Sequence, residues 1–456
     1  MDSYQRALDY LYSFINFEHK SLDRYQSSKI DADRPRRLLD LLGSPHEQYP
    51  AIHIAGTKGK GSVASMCAAC LRAAGLRVGL YTSPHLREFR ERIRIITPQD
   101  ADGRIPEDAF VFHMERARPF IEQSTGITWF EIVTAIAFMH FAEERVDVAV
   151  IEVGLGGRLD ATNVLTPEVS VITSLSLDHT QLLGDTLAQI SYEKGGIIKP
   201  GVPVVVAGQK AEALETLERI AAERAAPLTV VGRDWRYRAV REAHGGRQGI
   251  IIESTTAPDL IPAGTEFTVA LAGEHQLENA AVALAALATA RGRFPQLDLN
   301  ALHEGLATVR WDGRLQVLQE GPERPAFVVD CAHNDDSAAR LVTALTHDFE
   351  YRRLILIFGA PEDKNVAGML SRLVPLADHI IVTTANHPRS ASPEALAGMV
   401  AEMGKPVSIT QNVAEAVTDA LAMAKPGDLI VAAGSIIVIG DLLNHWDTLQ
   451  SDLTYG

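Results

Sequence analysis

The sequence predicts an α/β protein of two doubly wound units, on three observations. Short apolar runs of the kind buried on both faces of a parallel sheet alternate with stretches of helical periodicity. That alternation occurs twice, first over residues 49–208 and again over 326–434. With 456 residues and 46% hydrophobic content, the chain is long enough for two or three domains of about 100 to 200 residues, each with its own core.

From the start, MDSYQRALDYLYSFINFEHK has neither the basic stretch nor the apolar centre of a signal peptide. No apolar run approaches the roughly 20 residues of a membrane helix, so a cytoplasmic protein without membrane attachment is expected. Residues 18–37, EHKSLDRYQSSKIDADRPRR, form a polar, charged loop that is either solvated or in contact with a substrate. YPAIHIAG (49–56) then meets glycines, a helical pattern from about Ser62 to Ala74, and LRVGLYT (76–82), giving a strand, loop, helix, strand unit. VDVAVIEVG (146–154), EVSVITSL (168–175) and VPVVVAG (202–208) are further strands, with helices near 107–122, 129–144 and 185–198. After a helix at 275–290, ATVRWDGRLQVL (307–318) leads into the second series. Its strands are AFVVD (326–330), RLILIFG (353–359), HIIVTT (379–384), PVSIT (406–410) and DLIVAAG (428–434). The boundary falls near 308–312, giving an N-terminal unit over 1–308 and a C-terminal one over 312–456. No internal repeat, coiled coil or low-complexity tract interrupts this pattern.

Composition narrows the function. Lys plus Arg is 43 against 58 for Asp plus Glu, and the net charge of −15 argues against sequence-independent nucleic-acid binding. Local basic groups can still hold a small anionic substrate. Cys67, Cys70 and Cys331 are an odd number and too few for a disulfide framework. Cys67 and Cys70 form a CxxC, but Val63, Cys67, Cys70, Leu71 and Ala74 share helical spacing, so core packing is the better assignment.

The stretch HIAGTKGKGS (53–62) has the ingredients of a phosphate cradle: a glycine loop, a helix N-terminus and Lys60. Its spacing departs from the common P-loop, which has four residues before its Gly-Lys and Ser or Thr directly after. Here only Thr57 and Lys58 separate Gly56 from Gly59 and Lys60, and Gly61 precedes Ser62. A helix-entry turn with a surface lysine is the plain alternative.

These residues resemble the short phosphate loop of the folylpolyglutamate synthase and dihydrofolate synthase family, related to the Mur peptide ligases. The resemblance makes Gly56, Thr57, Lys58, Gly59, Lys60, Gly61 and Ser62 a nucleotide loop, with Lys58 where the family more often has Asn. YTSPHLREFRERIRI (81–95) is similar to the family's Ser-Pro-His-Leu loop and implies Ser83 as a magnesium ligand, at a strand end where open sheets place ligands. Arg87, Arg90, Arg92 and Arg94 follow as local positive charge or as a solvated loop face. IEVGLGGRLDATN (151–163) implies Glu152 as a magnesium ligand, with Arg158, Leu159 and Asp160 bordering a pterin-bearing substrate. SLDHTQLLGDT (176–186) implies His179 as a third ligand, although imidazole is unusual on magnesium and the residue alone reads as a loop or capping histidine. ISYEKGGIIKP (190–200) resembles the segment whose lysine is carbamylated, here Lys194, with Gly195 replacing the more frequent Ala.

The matches continue in order to residue 365. GEHQLENAAVALAAL implies Asn279 against adenine with Gln276 beside it. WDGRLQVL resembles a Trp-Pro-Gly-Arg segment, with Asp312 for the proline and Arg314 toward the nucleotide phosphates. VVDCAHNDDSA implies Asp330 for ATP and His333 as an active-site residue, and GAPEDKN (359–365) resembles a further family loop. TWFE matches a Thr-x-Phe-Glu segment, placing Thr128, Trp129, Phe130 and Glu131 against the pterin and aminobenzoyl groups, unless Trp129 and Phe130 are core residues opening a helix. The fold so implied is Mur ligase-like: an N-terminal P-loop-type ATPase domain with a mostly parallel sheet, and a C-terminal Rossmann-like domain. The implied enzyme is an ATP-dependent ligase that adds L-glutamate to dihydropteroate, to reduced folates, or to both, through an acyl phosphate. Lys60, Lys194 and His333 are its catalytic candidates. Its implied cofactors are ATP, Mg2+ and a carbamate on Lys194, with a monovalent cation such as K+ a further candidate. A monomer acting on small molecules is expected. The rivals are a cell-wall Mur ligase, disfavoured by Gly61, the Ser-Pro-His-Leu loop and the lack of sequence for a third domain, and a nucleotide-binding regulator without ligase activity.

Overall fold

Apolar runs of three to five residues become strands whose side chains are buried on both faces, because helices cover each sheet from both sides. The computed structural model describes residues 2–15, 31–241 and 248–455. In the first sheet, β1 (Ala51–Ala55), β2 (Val78–Tyr81), β3 (Ile93–Ile96), β4 (Val148–Glu152), β5 (Val169–Ile172), β6 (Val204–Val206) and β7 (Leu228–Val230) lie in the order β3-β2-β4-β1-β5-β6-β7. All pairs are parallel except β2 with β3. A three-stranded antiparallel sheet follows, from β8 (Arg236–Arg241), β9 (Gln248–Ser254) and β10 (Glu266–Val269).

The helices of this half are α1 (Ser3–Tyr12), α2 (Arg34–Leu41), α3 (Lys60–Ala73), α4 (Glu107–Gln123), α5 (Trp129–Glu143), α6 (Thr180–Leu183), α7 (Leu187–Gly195), α8 (Ala211–Glu223), α9 (Glu274–Ala290) and α10 (Leu299–Thr308). Strand alternation sorts them into layers. Ile52, Ile54, Val148 and Val150 face a core shared with α3, α9 and α10, whereas Ala51, Ala149 and Ile151 face α1, α2, α4 and α5.

The second sheet comprises β11 (Gln316–Gln319), β12 (Ala326–Val329), β13 (Leu354–Phe358), β14 (His379–Val382), β15 (Val407–Ile409) and β16 (Leu429–Ala433). Their order is β11-β12-β16-β13-β14-β15, with only β11 antiparallel to its neighbour. It is flanked by α11 (Asp335–Asp348), α12 (Val366–Leu373), α13 (Pro393–Glu402), α14 (Val413–Met423) and α15 (Ile436–Tyr455).

Several elements differ from expectation. In the polar stretch 18–37, Arg34–Arg37 open α2, and residues 18–30 lie outside the described residues. The helix expected over 185–198 runs only from Leu187 to Gly195, started by a reciprocal Thr186–Gln189 capping box. The arginine-rich segment after β2 contains a strand, β3. Cys67 and Cys70 are buried unpaired thiols in α3, which agrees with packing rather than redox chemistry, and burial pushes Cys67 up to about 12. Among the described residues no helix is long and apolar enough to cross a membrane.

Candidate active site

Parallel strands end on the same edge of their sheet, so the loops that follow them converge. The two sheets present these edges to one another across a cavity of about 1190 Å3. The first sheet contributes the loops after β1, β2, β4 and β5 together with the start of α5; the second contributes the loops after β12, β13, β14 and β16.

The glycine loop enters α3 with Gly59 as N-cap at φ +85°, a left-handed conformation that favours glycine. A Cβ there would lie 2.3 Å from Asn279 Oδ1, so the loop rests directly on α9. Asn279 is oriented by donating from Nδ2 to Gln276 Oε1 at 2.9 Å. Lys60 Nζ lies 3.8 Å from Glu152 Oε1, and the Ser83 N–H donates to Glu152 Oε2 at 3.3 Å. Burial raises the Glu152 pKa, opposed by Lys60, the Ser83 N–H and Arg314. The carboxylate and the Ser83 residue therefore occupy one corner beside the lysine of the glycine loop.

Of the residues expected at the site, Thr57 through Ser62, Ser83, Glu152, Leu159, Asp160, His179, Asn279, Arg314, Asp330, His333 and Thr128 through Glu131 line the cavity. Gly56, Arg158 and Lys194 do not. Arg158 turns away to pair with Glu193 at 2.9 Å. Lys194 is buried behind the loop, where Nζ donates to the Gly56 carbonyl at 3.0 Å, and burial pulls its pKa down to about 7. It is therefore not the helix-surface lysine that its local sequence suggests.

The TWFE segment divides. Thr128 and Glu131 form a capping box for α5, and Glu131 also receives Arg34. Trp129 is 1% exposed, with the Arg92 guanidinium 4.7 Å from its ring centroid, and so belongs to the core. Phe130 packs so closely on Gly154 that a Cβ there would lie 2.3 Å from its ring.

The arginine cluster is not a free positive face. Arg87 pairs with Asp312 and Asp447, Arg90 with Glu88, and Arg94 with Asp102. Arg92 donates to His85 Nδ1 at 2.8 Å.

Across the cleft, Asp330 accepts from the Leu315 and Ala332 N–H groups, both at 2.8 Å. His333 Nδ1 donates to the Cys331 carbonyl at 2.9 Å, which fixes the tautomer and leaves Nε2 as an acceptor. Burial, with Lys58 nearby, lowers His333 to about 4, so the imidazole is neutral at pH 7. Burial likewise lowers His179 to about 4.

Comparison with known proteins shows the family of the chain. A Mur ligase middle domain model matches residues 54–287, and a Mur ligase glutamate ligase domain model matches 313–436. A dihydrofolate synthase/folylpolyglutamate synthase of Mycobacterium tuberculosis is 35% identical, covering 95% of this chain and 93% of its own. The chain belongs to the folylpolyglutamate synthase and dihydrofolate synthase family. A probable bifunctional folylpolyglutamate synthase/dihydropteroate synthase of Haloferax volcanii is 36% identical over 454 residues, and this chain spans 50% of its length. The crystal structure of the M. tuberculosis folylpolyglutamate synthase complexed with ADP and AMPPCP superposes with a TM-score of 0.80 at 33% identity, covering 98% of this chain and 99% of that one.

Three positions where this family member departs from the family motifs have visible surroundings. Lys58 lies 3.6 Å from Asp178 and ties the glycine loop to the loop after β5. At Gly195, a Cβ would lie 2.7 Å from Ile220 Cδ1, so glycine lets α7 approach α8 closely. Asp312 lies 3.6 Å from Arg87, and the preceding Trp311 packs against Gly61, where a Cβ would meet its ring at 2.8 Å. The connecting segment is thus held by contacts rather than by a proline.

Cavity-lining residues missed at the sequence level include Arg34, His275, Arg340, His387 and Arg389. Arg34 lay in the polar 18–37 stretch, His275 in the GEHQLENAAVALAAL segment and Lys364 in the GAPEDKN loop, none with a role of its own.

Proposed function

We propose that the protein is an ATP-dependent acid–amino-acid ligase that adds L-glutamate to dihydropteroate, to folate glutamates, or to both. The observation that carries this is one cavity lined by Lys60, Ser83 and Glu152 from the first sheet and by Arg314, Asp330 and His333 beyond it. The acceptor's carboxylate oxygen attacks the γ-phosphorus of ATP, ADP leaves, and an acyl phosphate forms. Lys60 and Arg314 offset the charge of the transferring group. The glutamate amine then attacks the acyl carbon, phosphate leaves, and one proton must be taken from nitrogen. As the C–N bond forms that proton becomes acidic enough for a weak neutral base, the role assigned to His333 Nε2. Asn279 and Asp330 are assigned to the nucleotide, and Thr128, Phe130, Leu159 and Asp160 to the acceptor.

Magnesium is expected in this family, and Ser83 with Glu152 suits it. Serine hydroxyls and carboxylates are hard oxygen donors, Ser83 adjoins Glu152 through its backbone N–H, and magnesium commonly completes its shell with water and phosphate rather than a full protein cage. Among the described residues no cluster of three or more His, Cys, Asp or Glu forms such a cage. Bound there, the ion would supply charge neutralisation at the transferring phosphoryl. His179, which lines the same cavity, is the proposed nitrogen donor. The buried amine of Lys194 has the lowered pKa that carbamate formation requires, and a carbamate would add anionic oxygen beside the loop. K+ is proposed only as an activator to be tested, and the working species as a cytoplasmic monomer.

The test is phosphate release dependent on ATP, magnesium and L-glutamate, with dihydropteroate and tetrahydrofolate in separate reactions. Turnover with both marks a bifunctional enzyme, and turnover with one names the branch. Silence with both while ATP binds would overturn the substrate assignment and move the test to cell-wall precursors.

A further inference from the structure

Arg34, in the first turn of α2, lines the cavity beside Ile15, Gly126 and Thr128. Its Nε donates to both carboxylate oxygens of Glu131 at 3.0 Å, and the two side chains are only 11% and 7% exposed. Glu131 is itself fixed, because the N–H and Oγ1 of Thr128 donate to its Oε2 at 2.7 and 2.8 Å. The guanidinium is therefore held by one nitrogen against a carboxylate that is locked in place. Its Nη1 and Nη2 groups make no hydrogen bond among the described residues. Glu131 already neutralises the charge, and a second carboxylate at Arg34 would also meet Glu131. The free fork therefore suits uncharged acceptors.

Its position says which part of a substrate it meets. The reacting carboxylate belongs at the Lys60 and Glu152 corner, whereas Arg34 enters the cavity on Glu131, next to Phe130, whose ring packs on Gly154 just before Leu155, all of them lining residues. A flat heterocycle fits beside the Phe130 ring. An arginine fork pairs well with a ring carbonyl oxygen and a neighbouring ring nitrogen, as it does with guanine O6 and N7. A pteridine offers the same pair at O4 and N5. In the 7,8-dihydro form N5 is an imine nitrogen with an in-plane lone pair; in the 5,6,7,8-tetrahydro form it carries a hydrogen, and a donor would face a donor.

We propose that Arg34 is a specificity-determining residue that reads the O4 and N5 acceptors of the pteridine and favours 7,8-dihydro over tetrahydro acceptors. This rests on the pteridine-ligase function proposed above and names the feature of the substrate that sets its choice.

The experiment uses two matched pairs, 7,8-dihydropteroate against 5,6,7,8-tetrahydropteroate and dihydrofolate against tetrahydrofolate, in wild type, Arg34→Lys and Arg34→Gln. Lysine keeps a cation opposite Glu131 and removes the planar fork. Wild type is expected to favour the dihydro member of each pair by about ten-fold in kcat/KM, the scale of one bidentate arginine contact. Arg34→Lys is expected to bring that ratio near one, through KM of the pteridine, with KM for ATP and the thermal midpoint unchanged. Equal kcat/KM for both members in wild type, or an equal loss for both in a folded variant, overturns the assignment alone. Wild type that neither binds nor turns over any pteridine overturns the functional proposal and the assignment with it. Should Arg34→Gln unfold, the wild-type ratio and Arg34→Lys still decide the matter.

Discussion

Replacing Gly59 with alanine tests the glycine loop most directly. The left-handed backbone at φ +85° costs an alanine about 1 to 2 kcal/mol. The new Cβ would also sit 2.3 Å from Asn279 Oδ1 and 3.0 Å from its Cγ, far inside contact distance. Asn279 cannot simply rotate away without losing the 2.9 Å bond to Gln276, and overpacking of this kind costs about 1 to 3 kcal/mol. The expected total is about 2 to 5 kcal/mol of stability. The two parts separate in an Asn279→Ala background, which removes the three atoms nearest the new Cβ and leaves chiefly the backbone part. Calorimetric unfolding of the four nucleotide-free proteins should therefore show a coupling of about 1 to 3 kcal/mol. ATP titration of Gly59→Ala should show at least about a ten-fold loss of affinity, because the loop N–H groups shift with the backbone. Equal costs of Gly59→Ala in both backgrounds would refute the contact with α9, and no cost at all would refute the loop conformation.

Three further outcomes follow from buried titratable groups. His113 Nε2 and His140 Nδ1 lie 3.3 Å apart in the core, and burial lowers both, His140 to about 3. Below pH 6.5 the unfolded chain binds protons that this folded pair refuses, so stability falls as pH drops toward 3, and His140→Gln should make the acid limb of thermal midpoint against pH shallower. An unchanged limb would count against the pair. With Lys194 lowered to about 7, its amine is mostly neutral at pH 8, so 13C-bicarbonate should give a carbamate resonance there that Lys194→Ala abolishes along with phosphate release. A spectrum that keeps the resonance in Lys194→Ala would assign the carbamate elsewhere. His333→Ala should lower kcat by about 10²-fold or more with KM for ATP little changed; full turnover across pH would remove His333 from proton transfer.

Much of the fold is written in the chain because a strand buried on both faces must be apolar throughout. ILIF in β13 and IVAA in β16 announce themselves for that reason. Strands that escape this requirement stay silent. β8 reads RYRAVR, is mostly exposed and lacks a buried strand's composition, while β3, IRII, is largely buried but is a four-residue antiparallel edge strand masked by its arginine-rich flank. The site follows the same division. Loops that open directly from strand ends, such as Gly56 to Ser62 and Ser83 after β2, keep their chemistry local and legible. What the chain does not display is which distant group completes each residue. Four arginines between 87 and 94 look like a positive face, until Asp312 and Asp447 claim Arg87, Glu88 claims Arg90 and Asp102 claims Arg94. Lys194 looks like a helix-surface cation, yet burial against the Gly56 carbonyl makes it a near-neutral amine. Arg34 looks like one more charge in a polar stretch, yet Glu131, far along the chain, neutralises it and among the described residues its remaining N–H groups have no partner. Charge is a property of the residue, but available charge depends on the partner brought by the fold. The same division explains why motif order identified the family while the Arg34–Glu131 pair, on which the proposed acceptor choice rests, could not be read from the chain.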